Sequence, residues 1–259
     1  MKRVGKDLDA AERWASVAAS YAAAIDSPYH RHRLAVIRAL LPPLVDKTVV
    51  DFGCGEGVLM LEALRQEAKK VIGIDFDVVM VTEARKRMPT AEVIRGNVRQ
   101  LAGCTPTDCL IAANVLAYMT DEEETVFYRT AAEIIRPGGH LVVTHSNALF
   151  DLFTFNAHTV DFCRRQFGFD PSVLLTHPAP DRATFNIREN PLAYGHKLAR
   201  HGFAEQRCEF INFHALPRLL SGDDPDDLGQ EKRDTLNWPE EDRWKLMFQC
   251  SMFGIRASR

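Results

Sequence analysis

The sequence predicts an α/β fold in which strands and helices alternate, and three observations carry this prediction. Residues 48–50 form an apolar run typical of a buried strand, and a helical pattern begins at Val58 after three alternating glycines. A second apolar run over 70–75 again ends in an acid. Further strand and helix patterns alternate along much of the chain, which favours a sheet covered by helices on both faces.

The composition sets limits on the function. The chain has 259 residues, of which 46 % are apolar, so a sizeable core can form. A net charge of −3 provides no basic field to attract nucleic acid. The six cysteines include no C-x-x-C pair and are typical of reduced thiols rather than of disulfides or a metal site. Because there is no signal-peptide pattern and no run of 18 apolar residues, we expect a cytoplasmic protein without a membrane span; its oligomeric state is left open.

The glycine turn is the most informative stretch. It has the pattern D-x-G-x-G-x-G, with the acid at Asp51 and a strand before it. Such a turn presents backbone N–H groups and a helix N-terminus to a ligand. A dinucleotide fingerprint would need a third glycine where Val58 stands, and no G-K-[ST] follows, which excludes a P-loop. Asp51 would disfavour a nearby phosphate and suits an ammonium group.

This pattern resembles motif I of the class I S-adenosylmethionine (SAM) dependent methyltransferases. The resemblance implies a doubly wound, seven-stranded sheet whose last strand is antiparallel. It also implies that the turn passes close to the methionine moiety of SAM and that an acid holds the amino end of that moiety. The residues to which it assigns cofactor contacts here are Asp51, Gly53, Cys54, Gly55 and Gly57.

The second and third strands supply the candidates for the nucleoside. Asp75 lies 18 residues after Gly57, where a carboxylate at the end of a strand can accept both hydroxyls of a ribose. The alternative, a helix N-cap, is better met by Asp77. Phe76 could pack on the adenine, and Val98 is a further cofactor-binding candidate. The resembling family commonly has Asp where this chain has Asn97, whose side-chain oxygen could still accept the adenine N–H.

The residues after the fourth strand, which is predicted over 108–113, include Asn114, Val115 and Tyr118. In the resembling family this loop runs beside the methionine chain and the transferring methyl. The chain lacks the Pro-Pro-aromatic signature of many enzymes that methylate amide or nucleobase nitrogens, and the pattern instead resembles small-molecule methyltransferases. A capping box, Thr120 with Glu123, then begins a helix through 135, and an R-P-G-G turn leads into a fifth strand over 140–144.

Two helices, over 8–25 and 29–41, are predicted before the glycine turn. Helices at this place commonly cover the cofactor in the resembling family. Tyr21, Tyr29 and Arg33 are the polar-tipped residues that we expect to face it. The alternatives are a core tyrosine for Tyr21 and a solvated helix charge for Arg33.

An aromatic-rich stretch over 146–189 departs from the minimal fold and is predicted to be a helical lid over the substrate, or a cap that buries its own phenylalanines. Arg164 and Arg165 could bind a carboxylate or phosphate of the substrate, and His145 is the candidate general base, with Tyr118 orienting the acceptor or facing the sulfonium. Solvated arginines and a structural histidine are the alternatives.

The whole chain is predicted to be a single domain. Its core covers about 44–145 and 190–259, with an N-terminal helical cap over 8–43 and the lid over 146–189. Asn190 and Pro191 predict the start of a helix that ends near 201, followed by a strand over 203–213. Residues 217–245 are acidic and predicted to be a surface excursion, with binding of a protein partner as the alternative. The last strand is predicted over 247–257.

The predicted reaction is methyl transfer from SAM to an oxygen or nitrogen of a small molecule, leaving S-adenosylhomocysteine. The two lid arginines favour an anionic acceptor. Two other classes remain open: an NAD-dependent oxidoreductase on a similar sheet, and a catalytically inactive SAM-fold protein that serves as a partner subunit. The absence of a second nucleotide-binding half argues against the first, and the complete glycine set with Asp75 argues against the second.

Overall fold

The computed structural model describes residues 28–104, 106–150, 165, 188–214 and 234–259. The first predicted helix, nearly all of the predicted lid and most of the acidic segment lie outside these residues. Within the described part, no helix combines the length and the apolar character needed to cross a membrane.

The described elements follow the alternating order that the sequence predicts. In chain order they are α1 (Pro28–Leu40), β1 (Thr48–Phe52), α2 (Val58–Arg65), β2 (Lys70–Asp75), α3 (Val78–Arg87), β3 (Glu92–Arg95), α4 (Val98–Leu101), β4 (Thr107–Ala112), α5 (Asp121–Ile134), β5 (Ile135–Ser146), α6 (Pro191–Ala199), β6 (Ala204–Phe213), α7 (Arg243–Gln249) and β7 (Cys250–Ser258).

The seven strands form one sheet in the order β3-β2-β1-β4-β5-β7-β6. Pairing is parallel from β3 through β5, and β7 is antiparallel to both β5 and β6. The predicted fold class, including the antiparallel last strand, is confirmed. Because β5 and β6 both run opposite to β7, their carboxyl ends lie at the same edge of the sheet as those of β1, β2 and β4.

Two apolar clusters cover the two faces of the sheet, and β1 shows how the sequence divides between them. Val49 belongs to the cluster that holds Val36 of α1 and Met60 of α2. Val50, its neighbour, belongs to the cluster that holds Phe127 of α5 and Leu198 of α6. A strand with both faces buried in this way has no polar side, which explains the continuous apolar runs in the sequence.

Three predicted helix starts have the expected caps. Asp77 accepts hydrogen bonds from the N–H groups of the first turn of α3, and Thr120 and Glu123 form a reciprocal capping box at α5. Asn190 caps α6, with Pro191 in the first turn. These local rules therefore placed the helix starts correctly.

Two strand boundaries differ from the prediction. Residues 247–249 belong to α7 and not to the last strand, because Leu246 of this helix packs into a small cluster with Phe213 and Cys250. The fifth strand begins at Ile135, before the predicted turn, and its pairing with β4 changes register between the partners of Thr107 and Cys109. Gly138, with a φ of 78°, allows this irregularity.

Candidate functional site

A cavity lies at the carboxyl ends of β1, β2 and β4, where open α/β sheets bind their ligands. Its described lining consists of Phe52, Gly53, Gly55, Ile74, Asp75, Phe76, Met80, Gly96, Asn97, Val98, Ala113, Asn114, Val115, Tyr118, Met119 and Glu123. Nine of the predicted site residues therefore share one wall: Gly53, Gly55, Asp75, Phe76, Asn97, Val98, Asn114, Val115 and Tyr118.

The glycine turn supplies open backbone to this cavity. Gly53 and Gly55 have φ angles of 74° and 53°, in the left-handed region that favours glycine. A Cβ at Gly53 would lie 2.6 Å from a methyl carbon of Val115, whereas a Cβ at Gly55 would meet no atom within 4 Å. The open space at Gly55 belongs to the cavity and is available to a ligand.

Asp75 joins the turn to the end of β2. Its Oδ2 accepts the Gly55 N–H at 2.8 Å and its Oδ1 accepts the Asp77 N–H at 2.9 Å. Burial raises the pKa of Asp75, although these two bonds act to lower it. Each carboxylate oxygen has a second lone pair, so the side chain can still accept two ligand hydroxyls.

Asp51 lies on β1 behind the turn and does not line the cavity. Its side chain is 2 % exposed, and its Oδ2 has no hydrogen-bond partner among the described residues. Burial, with a smaller contribution from the charge of Asp75, raises the pKa of Asp51 to about 7. A buried carboxyl oxygen that accepts no hydrogen bond is stabilised by a cationic group of a ligand bound nearby.

Asn97 caps helix α4, a structural role that the sequence did not reveal. Its Oδ1 accepts the Arg99 N–H at 2.9 Å, and its own N–H donates to Gln100 Oε1 at 2.9 Å, so the residue caps α4. The side-chain oxygen predicted to receive a ligand N–H is therefore partly used. The amide nitrogen and one lone pair of the oxygen are left for a ligand.

The segment after β4 forms the remaining wall. Asn114 has a φ of 58°, and its N–H donates to Thr144 Oγ1 at 2.9 Å, which holds this turn against β5. Val115 and Tyr118 follow, with Tyr118 in a short 3-10 helix. These residues line the cavity, where the family resemblance places the loop after the fourth strand.

Besides Asp51, two residues of the glycine motif with predicted cofactor contacts do not line the cavity. A Cβ at Gly57 would lie 1.9 Å from Met88 Cε, so the flexible end of Met88, at the C-terminus of α3, would have to move to admit a side chain here. Cys54 is buried in the apolar cluster between the sheet and helices α1 to α3. The motif predicted cofactor contacts for both residues. In the structure, Cys54 packs in the apolar cluster and the space beside Gly57 is filled by Met88.

The N-terminal candidates are also placed elsewhere. The Tyr29 hydroxyl lies 3.2 Å from His214 Nδ1, and Arg33 Nη2 lies 2.6 Å from His30 Nδ1. Neither Tyr29 nor Arg33 lines the cavity, because α1 packs mainly on β6 and β7. Tyr21 lies outside the described residues.

The position of His145 differs from the prediction of an accessible base. Its side chain is 5 % exposed, and its Nε2 is hydrogen-bonded to the Tyr194 hydroxyl, which in turn bonds to the Tyr128 hydroxyl. The imidazole also packs 5.8 Å from the Phe253 ring and does not line the cavity. The prediction is therefore corrected: antiparallel pairing with β7 and packing of α6 bury this strand end, so His145 holds a structural position.

Neither of the two lid arginines lines the cavity as the described residues define it. Arg164 lies outside them. Arg165 is described as a half-buried helical residue and is not part of the cavity wall. Their predicted contact with a substrate stays a prediction.

Several wall residues were missed by the sequence interpretation. Phe52, Ile74 and Ala113 stand at or just past the ends of buried strands, and the rule that ligands bind at these ends could have found them. Met80 and Glu123 reach the cavity from helices α3 and α5. Their helical positions carry no signal that distinguishes them from ordinary surface residues.

Comparisons with known proteins agree with this geometry. Residues 49–139 match a family described as "Methyltransferase domain". A ribosomal protein L11 methyltransferase of Photobacterium profundum is 36 % identical over 104 residues, which is 39 % of this chain and 34 % of that protein. A probable S-adenosylmethionine-dependent methyltransferase of Mycobacterium tuberculosis is 28 % identical over 126 residues, 48 % of this chain and 45 % of that protein. The chain thus spans less than half the length of these curated relatives.

A solved structure extends the comparison to the fold. The N-methyltransferase NodS from Bradyrhizobium japonicum, in complex with S-adenosylhomocysteine, aligns with a TM-score of 0.56 at 14 % identity and covers 91 % of this chain and 90 % of that one. The predicted fold is confirmed: the chain has the Rossmann-like fold of class I SAM-dependent methyltransferases, and residues 49–139 match the methyltransferase domain family.

Proposed function

We propose that this chain is a SAM-dependent methyltransferase that binds SAM in the cavity at the ends of β1, β2 and β4. The observation that carries the proposal is the 2.8 Å bond from the Gly55 N–H to Asp75 Oδ2, which joins the open glycine turn to the strand-end acid in one wall. The family match over 49–139 and the relatives named as SAM-dependent methyltransferases support the same function.

The residues present fit the cofactor at each of its parts. Asp75 can accept the two ribose hydroxyls, and Phe76 and Val98 provide apolar contact for the adenine. Asp51 lies behind the turn and does not line the cavity, and the charge of its ionised carboxylate would attract the ammonium of the methionine moiety from there. The space beside Gly55 admits the chain that joins them.

SAM would supply an electrophilic methyl on its sulfonium, so few protein groups need to take part in bond making. The glycine turn and Val115 orient the donor, and the walls exclude water. Tyr118 can face the sulfonium, where an aromatic ring stabilises positive charge by about 0.5–2 kcal/mol. Since His145 does not line the cavity, it is not assigned a proton-transfer role.

The acceptor proposed for this chain is an oxygen or nitrogen of a small molecule. The absence of a Pro-Pro-aromatic sequence after Ala113 supports this choice over amide or nucleobase nitrogens. The relatives named as ribosomal protein L11 methyltransferases make a protein acceptor the competing possibility, although the similarity is limited to about a third of their length. The described cavity wall contains Asp75 and Glu123 but no basic side chain, so it adds no support for an anionic acceptor.

Substitution of Asp75 tests the proposal. Asp75→Ala should weaken SAM binding by about 1.5–3 kcal/mol, the cost of losing hydrogen bonds to a charged group. Calorimetric titration with SAM measures the loss, and mass spectrometry of a cell extract supplied with SAM detects acceptors that gain one methyl.

Asp108→Ala is the matched control. Asp108 is also an acid on a parallel strand that accepts a backbone N–H, but it lies at the opposite end of β4 and pairs with Arg136. This variant should keep wild-type SAM affinity. A folded Asp75→Ala protein with unchanged affinity, or a wild-type protein that does not bind SAM, would contradict the proposal.

A further inference from the structure

The described wall of the cavity contains two acidic residues, Asp75 and Glu123, and only Asp75 takes part in the contacts proposed above for SAM. Glu123 lies in the first turn of α5 and is half-buried. No basic side chain of the described residues shares this wall. A carboxylate in such a place needs a hydrogen-bond donor from water or from a ligand.

The capping box of α5 fixes the carboxylate of Glu123. Its Oε2 accepts the Thr120 N–H at 2.8 Å, and its own N–H donates to Thr120 Oγ1 at 3.1 Å. An ionised carboxylate has about four acceptor positions on its two oxygens, and the cap uses one of them. The side chain is therefore held in place and can still accept from a ligand through Oε1.

The packing of α5 shows which part of the cavity Glu123 borders. Phe127 follows one helical turn later on the same face, and its ring centroid lies 5.5 Å from that of Phe52 at the end of β1. Met119, just before the helix, packs in one apolar cluster with Val98 of α4. Glu123 thus borders the space between the end of β1 and the start of α4.

This space is the part of the cavity that suits a nucleobase. The proposed function assigns the adenine to Phe76 and Val98, which line it. Asn97 also lines it, but its neutral Oδ1 already accepts the Arg99 N–H at 2.9 Å. Hydrogen bonds to an ionised acceptor are roughly twice as strong as those between neutral groups. Glu123 is therefore the stronger acceptor for an amino group of the base.

A carboxylate at this place would distinguish between purines. Adenine has an amino group at C6, which donates, whereas hypoxanthine has a carbonyl oxygen there, which can only accept. A carboxylate accepts from the first and repels the second. The same acid therefore provides both an attractive and a repulsive element of specificity.

We propose that Glu123 determines the nucleobase specificity of the cofactor site, and that its Oε1 accepts a hydrogen bond from the C6 amino group of adenine. This inference rests on the proposed function, because it places SAM in the cavity. It adds the residue that distinguishes an aminopurine from an oxopurine. Glu123 acts on binding of the cofactor and has no part in the transfer of the methyl group.

The test uses the full chain and three homocysteine thioethers: S-adenosylhomocysteine, its purine riboside analogue with hydrogen in place of the amino group, and S-inosylhomocysteine. Calorimetric titration measures the dissociation constant of each. The wild type should bind the adenosyl compound at least about tenfold more tightly than the purine analogue, since a hydrogen bond to a charged group is lost. The inosyl compound should bind most weakly, because its carbonyl oxygen meets the carboxylate.

Glu123→Gln removes the charge and keeps the helix cap. The glutamine oxygen can accept the Thr120 N–H, as Gln100 Oε1 accepts the Asn97 N–H in the capping box of α4. The amide nitrogen, which can only donate, then faces the base. The preference for the adenosyl over the inosyl compound should fall at least about tenfold.

Glu122→Gln is the matched control, because Glu122 is exposed in the same helical turn and its loss changes the net charge equally. This variant should keep the wild-type preference among the three ligands. Thermal denaturation of the free proteins checks that both variants fold. Should Glu123→Gln fail to fold, the order of the three ligands on the wild type still tests the inference.

Three results would overturn the inference. The first is equal binding of the adenosyl compound and the purine analogue by the wild type. The second is an unchanged preference in folded Glu123→Gln, including an equal loss for all three ligands, which would assign the residue to the homocysteine part. The third is an equal loss of preference in Glu122→Gln. Failure of the proposed function gives a different result, because the wild type would then bind none of the three ligands.

Discussion

Two aspartates on neighbouring strands, Asp51 and Asp75, have different surroundings although each ends an apolar run. Asp75 accepts two backbone N–H groups, and Asp51 Oδ2 accepts none in the described chain. Burial raises the pKa of both, to about 7 for Asp51. Near neutrality Asp51 is therefore divided between its neutral and charged forms, and only the charged form attracts the ammonium of SAM from behind the turn.

SAM affinity should depend on this proton. Between pH 5.5 and 7 the affinity of the wild type should rise with pH, by at most about tenfold per unit, because one proton must leave Asp51 when the ammonium binds. The rise should flatten above pH 7. Calorimetry in buffers of different ionisation enthalpy measures both the affinity and the proton released.

Asp51→Asn keeps the shape of the side chain and should bind SAM more weakly with a flatter pH profile. The raised pKa of Asp51 also predicts how the stability of the free protein depends on pH. Since the pKa of Asp51 in the folded protein is raised above 3.8, its contribution to the free energy of unfolding is complete below pH 3.8. That contribution is lost as the pH rises through about 7. A wild-type affinity independent of pH from 5.5 to 7 would exclude this role for Asp51.

At the scale of elements, the turn from β1 to α2 uses its glycines for different purposes. Gly53 admits the side chain of Val115, Gly55 leaves open space at the cavity, and Gly57 makes room for Met88 of the α3 C-terminus. All three have positive φ angles. One sequence motif thus combines a ligand surface with the packing of two helices on the sheet.

Alanine substitutions should separate these tasks. Gly57→Ala should lower the free energy of unfolding by about 1–2 kcal/mol through left-handed strain, with a small further cost for moving the flexible end of Met88. Gly55→Ala should lower it by about 1–2 kcal/mol, from strain alone, yet reduce SAM affinity at least about tenfold by occupying the cavity. Urea denaturation and calorimetry measure the two quantities.

Gly138→Ala controls for backbone strain. Gly138 also has a positive φ, 78°, and open space around a Cβ, but it lies at the amino end of β5 away from the cavity. Its variant should match Gly55→Ala in stability and the wild type in SAM affinity. If Gly55→Ala also bound SAM normally, the turn would not approach the cofactor.

At the scale of the whole molecule, the mixed sheet gathers the carboxyl ends of six strands at one edge, and a ligand there would contact residues from β1, β2 and β4 together. Binding to the folded state alone stabilises it by mass action. SAM at about 100 times its dissociation constant should add about 2.7 kcal/mol to the free energy of unfolding.

A thermal-denaturation comparison of SAM with NAD measures this effect and separates the two cofactor classes. SAM should raise the melting temperature, and NAD at the same concentration should not, because Val58 replaces the glycine that a dinucleotide turn needs. The Asp75→Ala variant should lose most of the SAM effect. A larger shift with NAD than with SAM would favour an oxidoreductase.

The sequence by itself determined the features that depend on local pattern. Apolar runs predicted the buried strands, and capping residues such as Asp77, Thr120 and Asn190 predicted the helix starts. The glycine spacing and Asp75 predicted much of the cavity wall, because the carboxyl ends of parallel strands must meet at one edge. The resemblance to a known family supplied the antiparallel last strand, which pattern alone does not specify.

Only the tertiary structure decided which side chains meet across long separations in the chain. Tyr29 lies beside His214, 185 residues away, and His145 is buried under Tyr194, so neither reaches the cavity that the sequence predicted for them. Glu123 carries no sequence signal for its place in the cavity wall, since that place arises from the packing of α5 on the end of β1. Local patterns encode the period and ends of an element, whereas burial and partners depend on which faces the packed elements bring together.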